Sequence, residues 1–236
     1  YDVIIDVENG IPFFTPLFTQ TPKIVIMHHV HKNVFFKELP TIIALVPYFL
    51  ETYLMPIVYK NVPFIAVSES TKKETIKLGI PVHNITIIHN GFSIQPAKKI
   101  PKAKQPTLIY LGRMMHYKRL DILLHIFQNI QKNLPGAQLH LVGTGEALPS
   151  LKETVEQQHI SNVTFANITE HGKQQLLECA WIFVTPSSLE GWGITVIEAN
   201  ACGLPALAFN VPGLNESIKN NITGYLAKDE TDMEEK

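Results

Sequence analysis

The feature that most constrains this chain is a repeated alternation of short apolar runs with helical stretches. Apolar runs at residues 3–6, 24–27, 64–67 and 85–88 are joined by helical stretches around 41–60 and 69–79. The pattern restarts at 107–111, 138–142, 163–165, 181–184, 206–209 and 224–226. Such alternation specifies βα units around mostly parallel sheets, not a sandwich or a helical bundle. Between the two series, residues 95–106 are rich in Pro and Lys and lack apolar periodicity, the mark of a linker. The chain therefore divides into a domain over 1–95, a linker over 96–106 and a domain over 107–236. One helix is legible in detail. Leu120, Leu123, Leu124, Phe127 and Ile130 form the stripe of a helix lying on a sheet, and Asn133, Pro135 and Gly136 end it.

Composition narrows the function. With 45% hydrophobic residues, 17% charged residues and a net charge of −1, the 236-residue chain can bury a sizeable core. Lys and Arg number 20 against 21 Asp and Glu, and the arginines are Arg113 and Arg119 alone, so no nucleic-acid partner is expected. Residues 1–105 carry 11 basic and 7 acidic side chains, against 9 and 14 in 106–236. Cys179 and Cys202 read as packed thiols in a reducing compartment, which points to the cytosol. The apolar stretch 41–59 is interrupted by Glu51 and two prolines and reads as a buried helix rather than a bilayer span. Val34-Phe35-Phe36-Lys37 looks exposed, a candidate for peripheral contact with an anionic membrane face. The acidic tail 229–236 reads as solvated or frayed.

Polar residues that could do chemistry follow the strands of the second series, where doubly wound sheets bind ligands. Gly112 and Arg113 through Lys118 place two cations five residues apart, a pair suited to a diphosphate. Gly143-Thr144-Gly145 begins a dinucleotide fingerprint, but Leu148 stands where a third glycine belongs. The run from Pro186 to Pro205 holds Glu190 in a glycine-flanked loop and Glu198 in a helix beginning near Ile194. A helix start offers free N–H groups to phosphate, and carboxylates accept paired hydroxyls, so Glu198 suits a ribose and Glu190 a sugar. A glycosidase would need two carboxylates but not these cations, and a dehydrogenase would need the missing glycine. Five aspartates with no D-x-D after a strand give no support to metal-dependent sugar transfer, and the histidines of His28-His29-Val30-His31 have no nearby carboxylate to complete a metal site.

Together these residues resemble the retaining glycosyltransferases of family 4. The likeness rests on Val67-Ser68-Glu69-Ser70, Ile88-His89-Asn90-Gly91, Gly112-Arg113 with Lys118, Leu141 to Gly145, and the E-x7-E string from Glu190 to Glu198 followed by Ala201-Cys202-Gly203-Leu204-Pro205. It implies an α/β fold of GT-B architecture, two Rossmann-like doubly wound domains of which the first is incomplete, in a fragment of a longer protein. By the resemblance, Arg113 and Lys118 hold the donor diphosphate with Gly112. Glu190 contacts the donor sugar and Glu198 the ribose. Main chain at Trp192, Gly193, Ile194 and Thr195 meets sugar and phosphates, and that at Asn167 and Ile168 meets the base. His28 matches the histidine of the first lobe, although the register also admits His29, and Ser93 stands where an aspartate is frequent. The implied reaction is retaining, metal-independent hexosyl transfer from a nucleoside diphosphate sugar to a glycan or lipid-linked acceptor, with no cofactor. Front-face attack is the implied route, and a double displacement stays open. The rival reading is a nucleotide-sugar-binding or partner-binding remnant without turnover.

Overall fold

The computed structural model describes residues 1–8, 10–93, 100–168 and 170–236, so residues 96–99 of the expected linker lie outside them. The chain divides into two compact units, Tyr1–Asn90 with Glu190–Trp192, and Gly91–Leu189 with Gly193–Lys236.

In the first unit β1 (Ile4–Glu8), β2 (Lys23–Met27), β3 (Phe64–Ala66) and β4 (Ile85–Ile87) form a parallel sheet in that order. The period of two along a strand turns Val25 and Met27 of β2 into a core with Phe64, Ala66 and Ile85. Asp6 of β1 is buried, and its Oδ2 accepts from the hydroxyls of Tyr59 and Thr15 at 2.6 and 2.7 Å, while Oδ1 has no hydrogen-bond partner among the described residues. The helices are α1 (Lys32–Glu38), α2 (Thr41–Phe49), α3 (Met55–Val58) and α4 (Glu69–Lys77), with a π-helical turn at Leu50–Leu54 joining α2 to α3. Ser68 caps α4 by accepting the Thr71 N–H at 3.0 Å.

The expected helix over 41–59 forms, but it is not buried. Among the described residues Thr41–Val58 is the one helix long and apolar enough to cross a membrane, and 22% of it is buried. Ala44, Pro47, Glu51 and Met55 face inward, whereas Ile42 is 82% and Ile57 72% exposed. Because the helix is apolar on nearly every side, its pattern cannot tell which stripe finds a partner. The reverse holds at 34–37: Val34 and Phe35 are buried, because α1 packs on α2, while Phe36 and Lys37 face out.

In the second unit six parallel strands run in the order β10-β9-β8-β5-β6-β7. They are β5 (Thr107–Leu111), β6 (Gln138–Val142), β7 (Val163–Ala166), β8 (Ile182–Thr185), β9 (Ala206–Phe209) and β10 (Gly224–Ala227). Alternate residues feed two cores, which is why these strands read as nearly continuous apolar runs. Leu108, Tyr110, Val184, Leu207 and Phe209 face α5 (Leu120–Asn133) and α6 (Leu148–Gln157). Ile109, Phe183, Ala206 and Ala208 face α7 (Glu170–Cys179), α8 (Ile194–Ala201) and α9 (Leu214–Ser217). On α5, Leu120, Leu123, Leu124 and Phe127 are buried as the stripe requires.

The acidic tail departs from expectation. It folds into α10 (Glu230–Glu235), which Asp229 caps by accepting the Asp232 N–H, and which packs on α5 through Met233, 1% exposed. One apolar anchor outweighs the charges around it, since they point outward. Residues before β5 are fastened to this unit. The Ala103 N–H donates to the Cys179 carbonyl at 2.9 Å, and Trp181 Nε1 donates to the Ala103 carbonyl at 2.8 Å. Cys202 is buried, which pushes its thiol pKa up, and Cys179 is half-buried and free.

Candidate active site

The six-stranded order steps outward from β5 in both directions, so the crevice beyond the carboxyl ends of β5 and β8 is the switch point of the second unit. The loops leaving these two strands carry the sequence-predicted cations and lead toward the E-x7-E string. Ser188 donates both its N–H and its Oγ to the Tyr117 carbonyl at 3.0 Å, tying the loop after β8 to the loop after β5 beside Lys118. Lys118 is 9% exposed and Arg113 is exposed. Tyr110 holds the start of this loop by donating to the Arg113 carbonyl at 2.8 Å.

Gly143 and Gly145 shape that loop instead of completing a fingerprint. A Cβ at Gly143 would collide with the Gly112 carbonyl, and one at Gly145 with the Met114 carbonyl. Their absence lets Gly112 donate to Val142 at 3.0 Å and Met114 to Thr144 at 2.8 Å. The glycines therefore set the height at which Arg113 and Lys118 stand above the sheet.

α8 starts at Gly193, which is left-handed at φ 77° and supplies no side-chain cap, so Ile194 and Thr195 occupy an uncapped positive helix end. Glu198, one turn in, is 8% exposed and accepts from Lys173 Nζ of α7 at 2.8 Å. This buried pair replaces the surface ion pair that two isolated glutamates suggest. Sequence reasoning missed Lys173, because 25 residues separate the partners and no spacing links them. Asn167 is exposed just after β7, and Ile168 packs partly into the core beside it.

Glu190, Gly191 and Trp192 group with the first unit. There Gly191 lies so close to the His28 carbonyl that a Cβ would collide with it. The Trp192 indole stacks on the His89 ring at 4.0 Å and 14°, and His89 Nδ1 is 2.9 Å from the Val67 carbonyl. Trp192 Nε1 is buried without a hydrogen-bond partner among the described residues. The structure thus brings the Glu190 segment beside His28, the histidine favoured from sequence, and adds His89.

His28 follows β2, and its carbonyl accepts from Thr71 Oγ1 at 3.1 Å. Burial, and then the charge of His31, hold its imidazole below the usual histidine range, which favours the neutral ring. Contrary to the sequence expectation of no nearby carboxylate, Glu51 reaches the histidines, its Oε1 lying 3.6 Å from His31 Nδ1. Among the described residues no three His, Cys, Asp or Glu side chains are grouped to hold a metal ion.

The fold and these loops define an α/β protein of parallel sheets, and the family match says of which kind. Residues 92–235 match the family of glycosyl transferases group 1, and the chain belongs to that family. An uncharacterized glycosyltransferase of Haemophilus influenzae is 33% identical over 148 residues, covering 62% of this chain and 42% of that protein. TarM of S. aureus, in a structure with fondaparinux, α-GlcNAc-glycerol and UDP, superposes with a TM-score of 0.75 at 22% identity, covering 93% of this chain and 44% of that one. HepE of Anabaena, solved with UDP-glucose, gives 0.75 at 17% identity, covering 96% and 65%. These neighbours share the GT-B fold. The chain spans less than half the length of the Haemophilus relative.

Proposed function

We propose that the chain carries out retaining, metal-independent transfer of a hexosyl unit from a nucleoside diphosphate sugar to an acceptor hydroxyl on a glycan or lipid-linked glycan, in the cytosol. One observation carries this reading: the loop with Arg113 and Lys118 is tied to the loop after β8 at the switch point, in the unit where α8 offers an uncapped N-terminus. Arg113 and Lys118 would hold the diphosphate and neutralise charge that grows as the anomeric C–O bond breaks. The helix N–H groups at Gly193 and Ile194 serve the same phosphates, and Glu198, held by Lys173, accepts from a ribose hydroxyl. Asn167 and Ile168 main chain faces the base, and Glu190 and Trp192 serve the sugar. In the front-face route the acceptor oxygen bonds to the anomeric carbon on the side from which the nucleoside diphosphate leaves, and its proton passes to the departing phosphate oxygen. A neutral His28 fits a role in orienting the sugar, since it can donate and accept at once.

The resemblance that implied this chemistry brings no cofactor with it, and the two cations do the work that a divalent ion does elsewhere. Transfer is therefore expected to persist in EDTA. The test is incubation with UDP-, GDP- and ADP-hexoses and a panel of glycan and lipid-linked acceptors, with the product anomer read by NMR. Retention of the donor's anomeric configuration without added metal is the expected result. An inverted product, or strict dependence on a divalent ion, would contradict it. Tight donor binding with no transfer would favour the non-catalytic reading. The acceptor class is supported by the exposed apolar face of α2 and α3, which suits peripheral contact with a membrane better than residues 34–37 do.

A further inference from the structure

We propose that Glu51 is a positioning residue of the transfer reaction, fixing the loop His28-His29-Val30-His31 from beneath; this rests on the functional reading above. Glu51 is the one charged residue in an 18-residue apolar helix, and it is 2% exposed. It sits in the π-helical turn Leu50–Leu54, an irregularity that costs helix geometry and recurs at functional sites. Oε1 accepts the His31 N–H at 2.7 Å, a charge-assisted bond to the backbone of the loop, and lies 3.6 Å from His31 Nδ1. The His31 ring in turn lies against the His29 ring at 3.9 Å, tilted by 34°, and stacks on Phe35 at 5.8 Å. At its other end the loop is held by Thr71 at the His28 carbonyl, the same carbonyl that Gly191 approaches. Glu51 thus fixes a loop of the first unit that carries three histidines and meets the segment of Glu190 at the His28 carbonyl.

A purely structural role fits poorly. Among the described residues Glu51 Oε2 has no hydrogen-bond partner, so the fold keeps an unsatisfied buried oxygen where it holds the His31 N–H. The stability cost is retained at a place where it orders functional side chains.

The experiment compares the full chain with Glu51→Met and Glu51→Gln. Donor affinity is measured by calorimetry with UDP, GDP and ADP, transfer by kcat, stability by Tm, and ring geometry by ¹⁵N–¹H spectra of the histidine imidazoles. Glu51→Met, which leaves the His31 N–H without its acceptor, is expected to lower Tm modestly, to leave nucleoside diphosphate affinity within about twofold, to lower kcat about tenfold or more at temperatures well below Tm, and to shift the His29 and His31 resonances but not those of His140. Glu51→Gln retains an oxygen acceptor for the His31 N–H, and is expected to fall between wild type and Met in kcat and in the ring shifts. It decides the matter where the Met variant does not fold. Wild-type kcat and unmoved His29 and His31 resonances in Glu51→Gln and Glu51→Met would overturn the proposal, and so would a loss of kcat that only tracks a loss of Tm. Failure of the wild type to bind any nucleoside diphosphate would sink the functional reading instead, while the ring spectra would still decide whether Glu51 sets the loop.

Discussion

Lys173 and Glu198 form a nearly buried ion pair, with side chains 12% and 10% exposed, so neither can lose its partner cheaply. Removing one charge of such a pair costs about 3 to 5 kcal/mol, because the other is left desolvated and unpaired. Lys173→Met should therefore lower Tm and weaken nucleoside diphosphate binding about tenfold or more, and adding Glu198→Gln should recover Tm but not affinity. Thermal melts and calorimetry on the single and double variants check both. Glu8 offers a second test at this scale. Burial first, then the charges of Asp6 and Glu51, push its carboxyl up to about 8 from an ordinary 4.5. Below pH 4.5 the carboxyl is protonated in folded and unfolded chains alike. As pH rises from 4.5 to 8 the unfolded chain carries a charge that the folded one resists, so stability is lost across this window, and the loss is complete once the folded carboxyl also ionises near 8. Glu8→Gln removes that loss, so its Tm advantage over wild type should grow from pH 5 to pH 8. A constant difference across this range would count against the protonated carboxyl.

Elements explain what single residues cannot. The outer face of α2 and α3 presents Ile42, Val46, Phe49 and Ile57 to solvent, a patch that singly scattered surface residues do not make. Sedimentation with anionic liposomes should carry the wild type down, and Ile42→Ser with Val46→Ser should leave it in the supernatant. Equal recovery of both proteins in the supernatant would remove membrane contact from the account. The turn after β6 bears on the donor loop in the same way. Gly145→Ala would press a Cβ on the Met114 carbonyl, so Tm and nucleotide affinity should fall together. β5, β6, β8 and β9 are legible in sequence because each is a short apolar run that is largely buried, and α5 because its stripe is one-sided. α2 was misjudged because an all-apolar helix has no side to read. α10 was missed because Met233 alone among charges gives no period.

For the molecule as a whole, much of the second unit could be read from residues, since six βα steps and the polar loops after their strands are local features of the chain, whereas the order in which the strands pair is not. The switch point, the two cations and the uncapped helix all fall there. What could not be read were partners far apart in sequence: Lys173 for Glu198, Glu51 for His31, Trp192 for His89. Each depends on tertiary packing that no local spacing encodes. The histidine loop and the Glu190 segment emerge as parts of the first unit, whose four strands present the same carboxyl edge. The central claim is that Arg113 and Lys118 hold the diphosphate of a nucleotide sugar. Its most direct measurement is calorimetric titration of UDP, GDP and ADP into wild type and Lys118→Ala. The account predicts saturable one-site binding of at least one of them to wild type, weakened about tenfold or more by the substitution. No binding to wild type, or unchanged affinity in Lys118→Ala, would contradict it.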